Sequence, residues 1–177
     1  MYPRNGNTLN SLASHRGITM TKSTDVLVRE MLDREAIREL PILYCHYVWQ
    51  NDVQAMVDLF TEDGSISVDD GTIPATKGRE NLIKMYHQAL GDLAPRPFIH
   101  NHVVNLEGSD KASGTCYVEI RGISDGKSII GAGYYDDQYR KVEGTWKFLS
   151  RDVKMYYMVP LETGWAEKVL ARAQSQS

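Results

Sequence analysis

The sequence predicts an α+β domain in which helices come first and a run of antiparallel strands follows. Two observations carry this prediction. Apolar residues recur at helical spacing over residues 23–49, and from residue 98 onward β-rich segments alternate with polar turns. The stretch 128–161 is typical of one long β-hairpin. This order favours a sheet covered on one face by helices, and a curved sheet of this kind encloses a cavity.

The helical part begins near Ser23 or Asp25 and extends to about Trp49. Pro41 lies inside this segment and lacks a backbone donor, so the pattern favours a break or a kink there. A short helix over 53–60 follows, with Asp52 as its N-cap. The apolar stripe of the long segment consists of Val26, Val28, Met31, Leu32, Ile37, Leu40 and Leu43.

The remaining elements follow from alternation and from turn residues. A third helix is predicted over 78–90, where Gly91 stops it. Strands are predicted over 65–68, 98–107 and 112–123, and then come the two arms of the hairpin, which join at the turn 141–144.

One face of the hairpin combines apolar and polar groups. Residues of one parity share a face of a strand. Such a face suits a pocket wall with a few directed polar groups. The alternative is a structural pair between Arg151 and Asp137, and spacing alone favours that alternative. The residues that share this face of the hairpin are Gly133, Tyr135, Asp137 and Tyr139 in the first arm, and Arg151, Val153, Met155 and Tyr157 in the second.

Composition narrows the class of protein. The 177 residues carry a net charge of −3, which argues against a nucleic-acid partner, and no apolar run approaches a membrane span. Residues 1–22 are polar and lack the apolar centre of a secretory signal, so we expect a disordered leader there and a polar tail over 166–177. Two cysteines in a chain of this length indicate a reducing compartment, the cytoplasm.

Three kinds of side chain could support acid–base chemistry in an apolar pocket. His100 and His102 are two apart on a predicted strand, so they are expected to share a face. They could also bind a divalent metal, but no histidine follows His102, which disfavours a metal site. Histidine is the natural acid or base near neutral pH. Tyr44 or Tyr135 could donate hydrogen bonds, and Arg151 could hold a developing negative charge.

Several segments in order resemble the SnoaL-like family within the nuclear transport factor 2-like superfamily. These segments are REAIRELPILYCHYVWQNDVQAMVDLFTEDG, HNHVVNLEGSDKASGTCYV and GAGYYDDQYRKVEGTWKFLSRDV, and the resemblance covers residues 30–165. It implies a cone-shaped barrel made by a strongly curved antiparallel sheet that N-terminal helices close (cystatin-like). It also implies a cofactor-free enzyme, a homo-oligomer that is a trimer or a dimer, and a domain over 23–165.

The resemblance carries over to single residues only in part. Tyr44, Tyr135 and Arg151 match pocket positions of the family, and His100 is the nearest match to its catalytic histidine. By ungapped counting, however, the family histidine falls at or near Pro97. The family aspartate falls at Trp49, so the group that orients the histidine is lost unless Asp52 or Asp137 replaces it. Trp49 instead indicates an aromatic substrate stacked on a widened apolar wall.

The sequence therefore predicts a cofactor-independent lyase, of the dehydratase or elimination type or one that releases a small fragment. Its substrate would be a small hydrophobic compound, aromatic or polycyclic. We expect His100, Tyr44 and Arg151 to be catalytic, and Trp49, Tyr135, Asn101 and Asp137 to bind substrate. We expect no cofactor, metal, nucleic-acid or membrane partner. An isomerase or cyclase of the same fold and a non-catalytic ligand-binding protein remain alternatives.

Overall fold

The computed structural model describes residues 22–68 and 75–164. The predicted leader, apart from Lys22, and the predicted tail over 166–177 lie outside these residues. The sequence also predicts a turn over 69–72, which lies outside them as well. The chain folds into three helices and six strands within the described part. In chain order they are α1 (Thr24–Gln50), α2 (Val53–Asp58), β1 (Phe60–Val68), β2 (Thr76–Lys77), α3 (Arg79–Leu93), β3 (Arg96–Leu106), β4 (Lys111–Ser124), β5 (Lys127–Val142) and β6 (Thr145–Pro160).

Local signals explain where the first two helices begin and end. The Ser23 side chain accepts a hydrogen bond from the backbone N–H of Val26, and Asn51 ends α1 in the left-handed conformation with φ of 55°. Asp52 caps α2 as predicted, through the N–H of Ala55. The sequence favours a break or a kink at Pro41, and of these the break is absent, because α1 continues through this buried residue as one helix.

The strands form one six-stranded sheet in the order β2-β1-β6-β5-β4-β3. Strands β3 to β6 are antiparallel neighbours, as predicted, whereas β1 lies parallel to β6. The sheet is curled but not closed, because β2 and β3 are its two edges. The cone-shaped α+β architecture is therefore confirmed, as an open sheet rather than a closed barrel.

Both long hairpins have two-residue turns that favour the observed twist. Asp125 and Gly126 have φ of 50° and 73°, and Glu143 and Gly144 have φ of 50° and 84°. Positive φ at both central residues is the type I′ pattern, which matches the twist of the flanking strands. The predicted arms thus extend over nearly the full lengths of β5 and β6.

The core lies between the helices and one face of the sheet. Helices α1 and α3 and strands β4, β5 and β6 contribute large buried side chains to it, including several aromatic rings. On the helices these are Ile37, Leu40, Tyr44, Val48, Leu82 and Tyr86, and on the sheet Val118, Tyr135, Tyr139 and Phe148. Helix α3 continues past the predicted stop at Gly91 to Leu93, and Ala94 ends it in the left-handed conformation.

Candidate active site

A buried ion pair lies at the centre of the core. Arg151 and Asp137 face each other across β6 and β5, and both are 0% exposed. Arg151 donates from Nε to Oδ1 and from Nη2 to Oδ2 of Asp137, each at 2.8 Å. This side-on, two-bond geometry fixes the guanidinium plane, because arginine and carboxylate match as parallel forks. The predicted pairing is therefore present.

Three aromatic rings surround the guanidinium. Its Cζ lies 4.0 Å from the ring centroid of Tyr135, 4.1 Å from that of Phe148 and 4.4 Å from that of Tyr44. Burial opposes the positive charge, but Asp137 outweighs burial and keeps the pKa of Arg151 well above its usual value. Arg151 is thus a permanent cation in an aromatic cage. Its remaining nitrogen, Nη1, is buried and has no hydrogen-bond partner among the described residues.

A chain of hydrogen bonds extends from the ion pair to a histidine. The Tyr139 hydroxyl donates to Asp137 Oδ2 at 3.0 Å and lies 3.1 Å from His102 Nε2. Since a carboxylate only accepts, the Tyr139 proton points to Asp137, and Nε2 of His102 must carry the proton that Tyr139 accepts. The neutral ring then has its lone pair on Nδ1, which is buried and has no partner among the described residues.

Burial sets the protonation of the groups around the pair. It lowers the pKa of His102, so this ring is neutral at pH 7. Burial likewise raises the pKa of Tyr44, Tyr86 and Tyr135, and their hydroxyls remain protonated donors. The two cysteines of the core are inert for the same reason. Burial raises the pKa of Cys45 to about 11 and that of Cys116 to about 12.

A bulge in β3 separates the two histidines that the sequence places on one face. Ile99 pairs with Val118 and His102 pairs with Cys116, so β3 uses three residues where β4 uses two. His102 points toward the core side, whereas His100 and Asn101 are exposed. The shared face of His100 and His102 is therefore wrong, and alternation alone could not show it.

The family aspartate and histidine fall, by ungapped counting, at Trp49 and at or near Pro97, and these two positions are adjacent in the structure. Trp49 Nε1 donates to the Pro97 carbonyl oxygen at 2.9 Å, which joins the end of α1 to β3. The Trp49 ring is 43% exposed and packs edge-on against Phe98, and Arg96 stacks on it at 5.4 Å. An indole and a proline carbonyl thus stand where an aspartate and a histidine were implied.

Two cavities adjoin the core. One, of about 370 Å³, opens between β1 and α3, and its wall includes Ile66, Val68, Met85 and Ala89. The other, of about 600 Å³, lies between α1 and the β5–β6 turn beside Asp33. Asp33 accepts hydrogen bonds there from Lys141 and Trp146, and these outweigh burial and lower its pKa.

The structure brings together four of the seven predicted site residues. Tyr44, Tyr135, Asp137 and Arg151 form one buried group, whereas His100, Asn101 and Trp49 are exposed. The sequence prediction left Tyr86, His102, Phe148 and Tyr139 out of the site, although it weighed His102 as a metal ligand and placed Tyr139 on the polar face of the hairpin. Their shared signal was weak: each is an aromatic residue at a core-facing position, a pattern that hydrophobic packing also produces.

Two structural features are absent from the described residues. No three His, Cys, Asp or Glu side chains in this part of the chain are grouped so that they could hold a metal ion. No helix in residues 22–68 and 75–164 is long and apolar enough to cross a membrane.

Comparison with known proteins gives a consistent fold. The model of the SnoaL-like domain matches residues 29–152. A hexachlorocyclohexane dehydrochlorinase from Novosphingobium barchaimii is 22% identical with a TM-score of 0.69, and the match covers 76% of this chain and 93% of that one. A provisionally assigned scytalone dehydratase from Novosphingobium aromaticivorans is 20% identical with a TM-score of 0.68, and the match covers 76% of this chain and 91% of that one.

A third similar structure has no known function. It is a protein with a cystatin-like fold from Nostoc punctiforme, 24% identical with a TM-score of 0.61, and the match covers 70% of this chain and 91% of that one. No curated protein sequence matches the chain significantly. At these identities the likeness establishes the fold, and chemistry must be argued from the residues of this chain.

Proposed function

The chain belongs to the SnoaL-like domain family, and we propose that it is a cofactor-independent lyase or isomerase. Its substrate is a small hydrophobic compound, aromatic or polycyclic. The observation that carries the proposal is Arg151: wholly buried, fixed by Asp137, stacked between aromatic rings, and left with one unpartnered donor. A permanent, pre-oriented cation in a dry core stabilises negative charge that develops on a bound molecule.

The tyrosines beside Arg151 support this role. Tyr44 and Tyr135 contact the guanidinium with their rings, and their hydroxyls remain protonated at neutral pH because burial raises their pKa. A neutral hydroxyl donates a hydrogen bond to a developing oxyanion without a proton of its own being lost. Tyr44 assists by hydrogen bonding, and Tyr135 and Asp137 orient the substrate and the cation.

His102, rather than His100, is the proton acceptor in this proposal. The bond to Tyr139 places the proton on Nε2 and leaves the Nδ1 lone pair free. Nδ1 takes a proton from a substrate carbon, and the electrons of that C–H bond form a new C=C bond. In a lyase the leaving group departs with its bonding electrons; in an isomerase the proton returns to another carbon.

One observation favours a second function, a non-catalytic protein that binds a hydrophobic ligand. The hydrogen bond from Trp49 to Pro97 occupies the two positions where the family dyad would lie. A non-catalytic binding protein does not need the family histidine and aspartate; it needs only a cavity and the aromatic cage around Arg151. Turnover separates the two functions, because a binding protein holds a ligand and leaves it unchanged.

A matched pair of histidine variants tests the enzyme. Turnover is first found by incubating the protein with a panel of β-hydroxy ketones, β-chloro ketones and unconjugated enones on naphthalene or steroid frames, with product detection by mass spectrometry and ultraviolet absorbance. His102→Gln should then lower kcat by about a hundredfold or more, because general-base catalysis contributes at least that much. His100→Gln should leave kcat unchanged, since its side chain is exposed.

The same experiment can contradict the proposal. If His100→Gln abolishes turnover and His102→Gln does not, the base lies on the outer side of β3. If ligands bind and none is converted across the panel, the binding function replaces the enzyme.

The assembly and the compartment of the protein remain predictions. We propose a homo-oligomer, a dimer or a trimer, in the cytoplasm. A ladder of rings on the outer face of the sheet supports association through that face; it consists of the exposed Tyr117 and Tyr156 with the half-buried Tyr134 between them. Sedimentation equilibrium that shows only a monomer of 20.0 kDa would contradict this prediction.

A further inference from the structure

The first third of α1 presents apolar side chains to solvent. The first buried residue of this helix is Asp33, so residues 24–32 extend about 13 Å before the helix meets the core. Within this stretch Met31 is 69% exposed and Leu32 is 66% exposed, and Val28 is about half exposed. A contiguous apolar patch on a protein surface typically marks a place where a partner binds.

A groove continues this patch along the helix. It is the cavity of about 600 Å³ between α1 and the β5–β6 turn. Five residues of α1 that are not buried line it, and they follow each other at intervals of three, four, three and four positions. This is the heptad spacing of a seam between two packed helices, so the groove has the pattern of a helix-binding surface. The five seam residues are Arg29, Leu32, Ala36, Glu39 and Leu43.

The seam matches a second copy of the same helix that runs in the opposite direction. When a two-fold axis is level with position 34, residues at equal distances on either side of that position lie opposite each other. Leu32 then packs on the partner's Ala36, and Arg29 lies opposite the partner's Glu39. The two-fold axis forms each of these pairs twice, as in any self-complementary interface.

Other arrangements of the two helices lose this match. A parallel pair would place Arg29 opposite the partner's Arg29, and Glu39 opposite the partner's Glu39, and like charges repel. A shift of the antiparallel pair by one heptad in one direction places Arg29 opposite the partner's Leu32. The opposite shift places Ala36 opposite the partner's Glu39. The charges therefore select the antiparallel direction and one register.

Both seam charges are available for such a pair. Arg29 and Glu39 are exposed, and neither has a salt bridge or a side-chain hydrogen bond within residues 22–68 and 75–164. The charge of Arg29 helps to lower the pKa of Asp33, but Lys141 and Trp146 already hydrogen-bond that carboxylate. Pairing with a partner therefore breaks no ion pair of this part of the chain.

Side chains beside the seam fit the same register. Val28 and Ile42 lie on one flank of it, and both are about half exposed. The register brings Val28 of one copy nearly level with the partner's Ile42, so the two side chains can pack together. It also brings Glu35 of the two copies near each other on the exposed flank, and this repulsion opposes the pair.

We propose that the groove binds α1 of a second copy of this chain, in an antiparallel pair about a two-fold axis. This interface is separate from association through the outer face of the sheet, and it does not depend on the proposed activity.

Two charge reversals test the pair and its register on the full chain. In Arg29→Glu the reversed charge meets the partner's Glu39, and in Glu39→Arg it meets the partner's Arg29. Each variant should raise the dissociation constant of the pair by about tenfold or more in sedimentation velocity. An equal mixture of the two variants should associate again, because each chain supplies the charge that the other needs. Arg38→Glu makes the same charge change on another side of α1 and should behave like the parent protein.

The composition of the particles separates this pair from association through the sheet. Both variants keep the outer face of the sheet, so the mixture must give larger particles than either variant alone. Native mass spectrometry should find the two chains in equal amounts in them. Leu32→Glu should remove the pair, and Glu35→Gln should strengthen it, because it removes the repulsion on the flank. Circular dichroism checks that each variant keeps the native fold.

Four outcomes would overturn the inference. The first is a parent protein whose mass Leu32→Glu leaves unchanged at the highest soluble concentration. The second is a single charge reversal that associates as the parent does, and the third is a mixture that forms no larger particles than its parts. The fourth is association through α1 only after deletion of residues 1–21, which would mean that this segment of the chain occupies the groove.

Discussion

Removal of one charge from the buried ion pair should destabilise the protein severely. Asp137→Asn keeps the shape of the side chain but leaves Arg151 charged, 0% exposed and facing a neutral amide. Loss of one partner of a buried pair costs about 3–5 kcal/mol, because the remaining charge is unbalanced. The expected fall in the free energy of unfolding is a large share of the roughly 5–15 kcal/mol of an ordinary domain.

Urea unfolding, followed by circular dichroism and by tryptophan fluorescence, measures this loss. The double variant Asp137→Leu/Arg151→Met removes both charges together, and we expect it to be within about 2 kcal/mol of the parent protein, since apolar replacement of a buried pair is often neutral. A loss below about 1 kcal/mol for Asp137→Asn, at an unchanged m-value, would refute the reasoning. It would mean that water reaches the guanidinium and screens its charge.

Three further predictions concern residues around the pair. His102 has a lowered pKa in the folded state, so the unfolded chain binds more protons below about pH 6.5 and stability should fall as pH drops through that range. The ring is only half-buried, so the slope stays below the one-proton limit of about 1.4 kcal/mol per pH unit, and His102→Gln should remove it from a urea series between pH 7 and pH 5. Gly114→Ala should cost about 1–3 kcal/mol, because its Cβ would lie 2.8 Å from the backbone oxygen of Val103 and 3.1 Å from His102 Nε2. Its control, Gly91→Ala in open space on α3, should raise the midpoint of thermal unfolding by a gain of about 0.5–1 kcal/mol. Trp49→Phe should lose about 0.5–1.5 kcal/mol with the bond to the Pro97 carbonyl, again by urea unfolding.

Each of these predictions has an outcome that contradicts it. A His102→Gln variant with the same pH dependence as the parent would show that another group controls acid stability. Equal effects of the two glycine substitutions would show that the close approach at Gly114 is not tight. An unchanged Trp49→Phe variant would mean that water replaces the indole donor without loss.

The elements of the fold were predictable because each depends on neighbouring residues. Helix periodicity, the Asp52 cap and the glycine-containing turns act within one or two turns of chain, and all of them are present. The predicted stop at Gly91 and a break at Pro41 are absent for the same physical reason. Packing against the sheet stabilises both helices, and it outweighs the local preference of a single residue.

The candidate site was less predictable because bulges change which residues share a face. A register shift at Gln138/Tyr139 on β5 adds one residue to β6, and Asp137 thereby meets Arg151 instead of Ser150. The register shift between Ile99 and His102 separates two residues that alternation places on one face, because it turns His100 outward while His102 stays on the core side. Complementary charge indicated the first pairing without any register, whereas nothing in FIHNHVV marks the bulge.

The register of β3 also bears on the acid–base chemistry of the proposed function. A chain with Trp49 and Pro97 at the dyad positions has no histidine–aspartate pair there, and an enzyme must obtain proton transfer elsewhere. In the proposed function His102 is that place, because it shares the core-facing register of Val104 and contacts Tyr139, which connects it to Asp137. The aspartate that orients the cation then also fixes the tautomer of the histidine, through one hydroxyl. Tyr139→Phe should therefore weaken turnover mainly through kcat, with an altered pH profile, whereas a purely structural role would change stability and leave that profile in place.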